Sequence, residues 1–179
     1  MCIVLPDPCL VVLIGPAGSG KSTLAARLLR PTEIVSSDAY RALVADDPRA
    51  RDADADAFAL VHRVVGARLR RGLSAAVDAT NVHRGSRRTL LALARTHRRP
   101  AVAVVLDLPE ALCVERDRAR GDAAVGAGVV RAHRRLLDRA LPGLDAEGFA
   151  QLVVLRTPAE VDTFRLTRTP AAAVIHRRG

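Results

Sequence analysis

Short apolar runs and longer stretches of helical period alternate along this chain. Leu10-Val11-Val12-Leu13-Ile14 and Val102-Ala103-Val104-Val105-Leu106 are apolar at every position, the pattern of strands covered on both faces. With weaker runs of the same kind they predict strands near 10–14, 33–36, 74–78, 101–107 and 151–155. Between them apolar residues recur at three- and four-residue spacing, predicting helices at 21–29, 38–45, 55–71, 84–97, 109–119, 128–140 and 158–164. Strands alternating with helices specify an α/β fold with a parallel sheet flanked by helices. Clear periodicity stops after residue 164. The pattern therefore predicts one domain over 1–164 and a basic tail, or the start of a linker, over 165–179.

The first strand leads straight into chemistry. Gly15-Pro16-Ala17-Gly18-Ser19-Gly20-Lys21-Ser22-Thr23 fills every fixed position of G-x-x-x-x-G-K-[ST], between a strand pattern and a helix pattern. In such a P-loop the backbone N–H groups wrap phosphates, the lysine reaches the β and γ oxygens, and the serine holds Mg²⁺. Lys21 is also the one lysine among 28 lysines and arginines. A bias toward arginine explains the rest of that set but not where the lysine falls, since a guanidinium is a poor substitute for a compact ammonium. A P-loop NTPase fold binding ATP or another nucleoside triphosphate with Mg²⁺ follows, with residues 15–23 as the nucleotide loop.

Composition adjusts this picture in three ways. At 49% apolar and 26% charged the chain is an ordinary globular domain. With 2% aromatic residues and no tryptophan its core is built of Ala, Val and Leu, and single-strand binding on stacking platforms is disfavoured. A net charge of +9 and a pI of about 11.1 lean toward a polyanionic partner. Cys2, Cys9 and Cys113 show neither C-x-x-C nor zinc spacing, which predicts reduced thiols in the cytoplasm. The apolar stretch at 9–14 is too short to cross a bilayer, so no membrane role is expected.

Ligands of open α/β sheets bind beyond the carboxyl ends of the strands, and polar residues follow three of those ends. After the second strand, Asp38 either caps a helix or acts as a general base for an acceptor hydroxyl; spacing alone favours neither. Arg41, three residues on, shares its face and suits a phosphate. After the third, Asp78 occupies the position of an acidic residue that holds Mg²⁺ or its waters. Thr80 and Asn81 are candidate substrate contacts, although Asp and Asn also stabilise turns. Arg84, Arg87 and Arg88 suit either a nucleic-acid backbone or solvent. Arg116 and Arg120 lie four apart before a glycine-containing break, the layout of a helical lid that delivers guanidinium groups to phosphates. The five histidines share no metal-binding spacing.

Taken together, GPAGSGKST, PTEIVSSDAYRALVADD (31–47), VDATNV (77–82) and ERDRARGD (115–122) resemble the kinase module of bacterial polynucleotide kinase-phosphatase. AVAVVLDLPE (101–110) and RAHRRL (131–136) are smaller echoes, and the similarity runs from about residue 8 to 162. The resemblance implies a 5′-hydroxyl polynucleotide kinase that moves the γ-phosphate of ATP or another NTP to a 5′-OH end of RNA or DNA, in nucleic-acid repair. It implies Lys21 and Ser22 as the P-loop pair, Asp38 as general base and Arg41 as a phosphate contact. Arg116 becomes a catalytic lid arginine on the donor phosphates, Arg120 a second one, and Asp78 the acidic strand end. Fused or associated phosphatase and ligase-like repair modules are the implied partners. The sequence departs from the family where a further lid arginine is expected, at Ala123 and Ala124. A small-molecule kinase acting on a sugar, nucleoside or antibiotic would keep the same P-loop, and so would a nucleotide-dependent switch.

Overall fold

A computed structural model describes residues 1–170. Among these residues strands β1 (Cys2–Asp7), β2 (Leu10–Ile14), β3 (Ile34–Ser36), β4 (Ala75–Asp78), β5 (Ala101–Leu106), β6 (Gln151–Leu155) and β7 (Arg165–Pro170) interleave with seven α-helices. These are α1 (Lys21–Leu28), α2 (Ser37–Ala45), α3 (Asp54–Arg70), α4 (Arg84–Thr96), α5 (Glu110–Arg118), α6 (Ala127–Ala140) and α7 (Pro158–Thr163). Five strands form one sheet in the order β3-β4-β2-β5-β6. All four pairings are parallel, with Leu10 opposite both Ala75 and Ala101.

The unbroken apolar runs of β2 and β5 follow from this placement. Successive side chains point to opposite faces, and both faces are covered. Val11, Leu13, Val102 and Val104 pack into one core with Leu24, Val130 and Phe164. Leu10, Val12, Ala103 and Val105 pack into the other with Val61, Val65, Leu90 and Leu137. A parallel sheet also puts the carboxyl ends of all five strands along one edge. The P-loop, Asp38 and Asp78, distant in sequence, are gathered there by topology alone.

Two features depart from the expectation. Residues 2–7, not expected as a strand, form β1. Residues 165–170, expected as the start of a basic tail, form β7, which pairs with β1 in parallel, Cys2 opposite Arg165. Arg168 is drawn into ion pairs with Glu33 at 2.6 Å and Asp7 at 3.6 Å, so part of the basic character of this segment is spent internally. The rest of that segment, 171–179, lies outside the described residues. Among the described residues no helix is long and apolar enough to cross a membrane. Cys9 and Cys113 are buried free thiols and Cys2 is an exposed one.

Candidate active site

A cleft of about 490 Å³ opens at the carboxyl edge of the sheet, within the range of small-ligand sites. Its floor is the loop between β2 and α1. Gly18 and Gly20 hold φ of 75° and 92°, a left-handed backbone that costs glycine nothing. Gly18 also has no room for a side chain, since an added Cβ would sit 2.1 Å from the Cys113 carbonyl oxygen. The Gly15 N–H donates to the Thr80 carbonyl at 3.0 Å, tying the loop to the end of β4. No side chain caps α1 and its first turn carries no acidic residue. Its N–H groups and positive dipole end therefore remain available to an anion. Ala17, Gly18, Gly20, Lys21, Ser22 and Thr23 line the cleft, whereas Gly15, Pro16 and the fully buried Ser19 support it from behind.

Lys21 is buried, with its Nζ donating to the Pro16 carbonyl at 2.7 Å and to Ser19 Oγ at 3.4 Å. Burial pulls its pKa down to about 8, against the upward pull of Asp78 and Asp38. Those two carboxylates are thus electrostatic neighbours of the ammonium. Burial pushes the Asp78 carboxyl up, and the neighbouring Ser22 hydroxyl and the charge of Lys21 oppose it. A serine hydroxyl meeting a carboxylate beside an uncapped helix N-terminus is an all-oxygen donor set, which fits a hard divalent cation such as Mg²⁺.

Polyphosphate binding favours the charged form of Lys21, and the free protein loses that proton near pH 8. Affinity for ATP is therefore expected to fall as pH rises above about 8, by up to about tenfold per pH unit, with net proton uptake on binding. Titration calorimetry at pH 9 in two buffers of different ionisation enthalpy measures that uptake. Affinity flat from pH 7 to 9.5 would contradict the placement of the ammonium.

On the second wall the alternatives left open for Asp38 separate. Ser36, not Asp38, caps α2, its Oγ accepting from the Ala39 N–H at 3.4 Å. Asp38 sits within the first turn with a half-exposed carboxylate that lines the cleft. Arg41 is buried and holds that carboxylate through Nη1 at 2.5 Å, while its Nε donates to Asp54 and Nη1 also reaches the Pro48 carbonyl at 3.4 Å. Arg41 lines the cleft, but its Nε and Nη1 are spent on fixing Asp38 and the α2–α3 loop.

Thr80 lines the cleft and Asn81 does not. The Asn81 side chain turns into the sheet, donating to the Leu13 carbonyl at 2.7 Å and the Ala79 carbonyl at 3.3 Å from a backbone at φ 48°. Its amide nitrogen braces the strand ends behind the cleft lining, and its buried Oδ1 accepts no hydrogen bond among the described residues. Arg87 is also structural. It is 1% exposed, is bidentate to Glu147 at 2.6 and 2.8 Å, and donates to the Asn81 and Val82 carbonyls. Arg87→Ala strands the Glu147 carboxylate and is expected to cost about 3–5 kcal/mol of stability, read as a lowered urea midpoint. A loss below 1 kcal/mol would make the pair incidental.

The roof is α5, the turn after it and the start of α6. Arg116 and Arg120 both line the cleft, and Arg116 Nη1 lies 3.8 Å from where a Cβ on Gly20 would stand. Arg27, Arg49, Arg51 and His133 line it too and were missed from sequence. Arg49 crosses from the α2–α3 loop to donate to the Asp122 carbonyl. A cation thus reaches the lid from the opposite wall, next to the stretch where the chain has Ala123 and Ala124. His133 sits in α6; burial, with Lys21, Arg51 and His83 nearby, lowers its pKa to about 4. The motif RAHRRL held the only signal for it, and Arg49 and Arg51 are hidden among Asp46, Asp47, Asp52, Asp54 and Asp56.

A family model described as an AAA domain matches residues 10–142. The chain belongs to that family. Its architecture is that of a P-loop kinase-like domain. One chain of the Pnkp1/Rnl/Hen1 RNA repair complex superposes with a TM-score of 0.61 at 25% identity, over 78% of this chain and 47% of that one. This AAA-domain protein thus spans about half of that partner in the comparison. Chaetomium thermophilum Kti12 in complex with ADP-AlF3 gives 0.59 at 20% identity, covering 86% and 93% of the two chains. A gluconokinase from Sinorhizobium meliloti 1021 gives 0.54 at 19%, covering 88% and 87%. No curated protein matches the sequence.

Proposed function

We propose that the protein is a phosphotransferase that moves the γ-phosphate of ATP, or another nucleoside triphosphate, to the 5′-hydroxyl end of RNA or DNA. The observation that carries this reading is the cleft itself. An aspartate that caps nothing faces the P-loop lysine across it, held by a buried arginine. A nucleotide switch has no use for a base aimed at an alcohol. The choice of a polynucleotide acceptor rests on the net charge of +9, on the arginines around the cleft and on the likeness to the RNA repair chain.

Lys21, the loop N–H groups and Arg116 hold the β and γ phosphates of the donor and draw charge toward the leaving oxygen. Ser22 and Asp78 would hold Mg²⁺, which supplies charge neutralisation on the phosphate oxygens. Asp38 accepts the proton of the acceptor hydroxyl as its oxygen forms the new bond to the γ-phosphorus. The bond from that phosphorus to the β–γ bridging oxygen breaks, and the nucleoside diphosphate leaves. Arg41 holds Asp38 in place, and Arg120 adds positive charge from the lid. Catalysis of this kind rests on position and electrostatics. Associated phosphatase or ligase-like repair modules are the proposed partners.

The size of the cleft and the gluconokinase likeness favour a second reading, a small-molecule kinase with the same donor site. A pair of strands separates them, identical except that one carries a 5′-hydroxyl and the other a 5′-phosphate. With γ-labelled ATP, label is expected on the first strand only. Label on neither strand, with a sugar or nucleoside phosphorylated instead, would favour the second reading.

A further inference from the structure

We propose that Asp117 is a positioning residue that sets Arg116 and Arg120 over the P-loop by closing the root of the lid; the proposal rests on the phosphotransfer reading. Asp117 follows Arg116 directly and precedes Arg120 by three positions. It is 1% exposed, a costly place for a carboxylate unless its oxygens are satisfied. They are, by the far side of the lid: Oδ1 accepts from the Val125 N–H at 3.2 Å and Oδ2 from the Gly126 N–H at 2.9 Å. Gly126 is the N-cap of α6, holds φ 91° and offers no side chain for capping. The Asp117 carboxylate, reaching from the preceding helix, instead takes the N-cap amide and the amide before it, at the positive end of the α6 dipole.

The lid turn from Ala119 to Ala124 is thus tied where it leaves α5 and where it enters α6. Arg120 lies inside this tie, its Nη1 3.9 Å from Asp117 Oδ1. The same part of α5 rests on the P-loop. The side chain that Gly18 lacks would collide with the Cys113 carbonyl and stand 3.2 Å from the Asp117 nitrogen. The helix carrying the lid arginines is therefore referenced to the phosphate loop below and to α6 above. At the end of α5 that carries the arginines, Asp117 makes the upper connection among the described residues; the other polar link between the two helices, Glu110 to Arg131 at 3.4 Å, lies at the start of α5. Without it the arginines keep their charge but lose their fixed relation to the phosphates.

The test compares the full chain with D117A and the nearly isosteric D117N, each in the parent background and in an R116A/R120A background. Affinity for ATPγS with Mg²⁺ is measured by calorimetry, and amide hydrogen exchange is followed at Val125 and Gly126. D117A is expected to speed exchange at both amides and to weaken ATPγS about tenfold, a loss typical of charge-assisted hydrogen bonds. D117N, which keeps one acceptor oxygen, should recover part of that affinity. In the R116A/R120A background D117A should cost less than about twofold, because the residues it acts through are gone. Equal weakening in both backgrounds would mean a general structural role, and unchanged binding would mean none; either overturns the proposal. A protein that binds ATPγS as described but phosphorylates no hydroxyl would sink the phosphotransfer reading, and the role of Asp117 would still be decided by binding.

Discussion

Asp38→Ala lowers kcat for phosphate transfer by about 10³, within the range for loss of a general base, while affinity for ATP changes less than about twofold. The split follows from where the carboxylate stands. Ser36 caps α2, so removing Asp38 leaves the helix start intact. In the proposed reaction the donor phosphates are held by the P-loop and the lid, which Asp38 does not touch. Arg41 loses one partner but keeps Asp54 and the Pro48 carbonyl, so the wall remains in place. Single-turnover transfer with ATP bound in advance measures the chemical step directly. Asp38→Asn keeps the shape and removes the basicity, and should be nearly as slow as Asp38→Ala. A near-normal rate for Asp38→Asn would take the proton-accepting role away from this residue.

Lys21→Ala is expected to lower kcat/KM for ATP by about 10³ through lost stabilisation of the transferring charge. Unlike Asp38→Ala it also weakens nucleotide binding, because the ammonium meets the donor in ground state and transition state alike. Lys21→Arg should rescue little. The Lys21 Nζ sits against the Pro16 carbonyl and Ser19 Oγ in a buried slot, and a planar guanidinium needs width that the loop does not offer. Lys21→Ala should melt at or above the parent temperature near pH 7, whereas Lys21→Arg, which keeps the charge in a slot too narrow for it, should not. Folding lowers this lysine's pKa to about 8, so below that pH its charge is a burden on the folded state that Lys21→Ala removes. A Lys21→Arg enzyme with near-parental kcat/KM would contradict the point-charge role.

Much of this was legible in the sequence for one physical reason: a strand buried on both faces must be apolar throughout. β2 and β5 announce themselves in that way, and the P-loop follows β2 directly. Once the strands are known to be parallel, the residues after each must share an edge, which brings Asp38 and Asp78 to Lys21. What local pattern does not carry is pairing across the whole chain. β1 and β7 pair residues 2 and 165, and β7 reads Arg-Leu-Thr-Arg-Thr, with none of the apolar continuity of the central sheet. The same limit hid Arg49, Arg51 and His133, which reach the cleft only through the packing of α2, α3 and α6. Asn81 and Arg87 present the opposite case. Each has donors suited to a ligand contact, but nearby backbone carbonyls and Glu147 take them up.

A single competition weighs the central claim. γ-labelled ATP and Mg²⁺ are offered simultaneously to a 5′-OH RNA, a 5′-OH DNA, free nucleosides and gluconate at equal concentration. Preferential labelling of the oligonucleotide ends, lost in Asp38→Ala, is the predicted outcome. Label that accumulates on gluconate or a nucleoside, or ATP hydrolysis indifferent to every hydroxyl present, would contradict it.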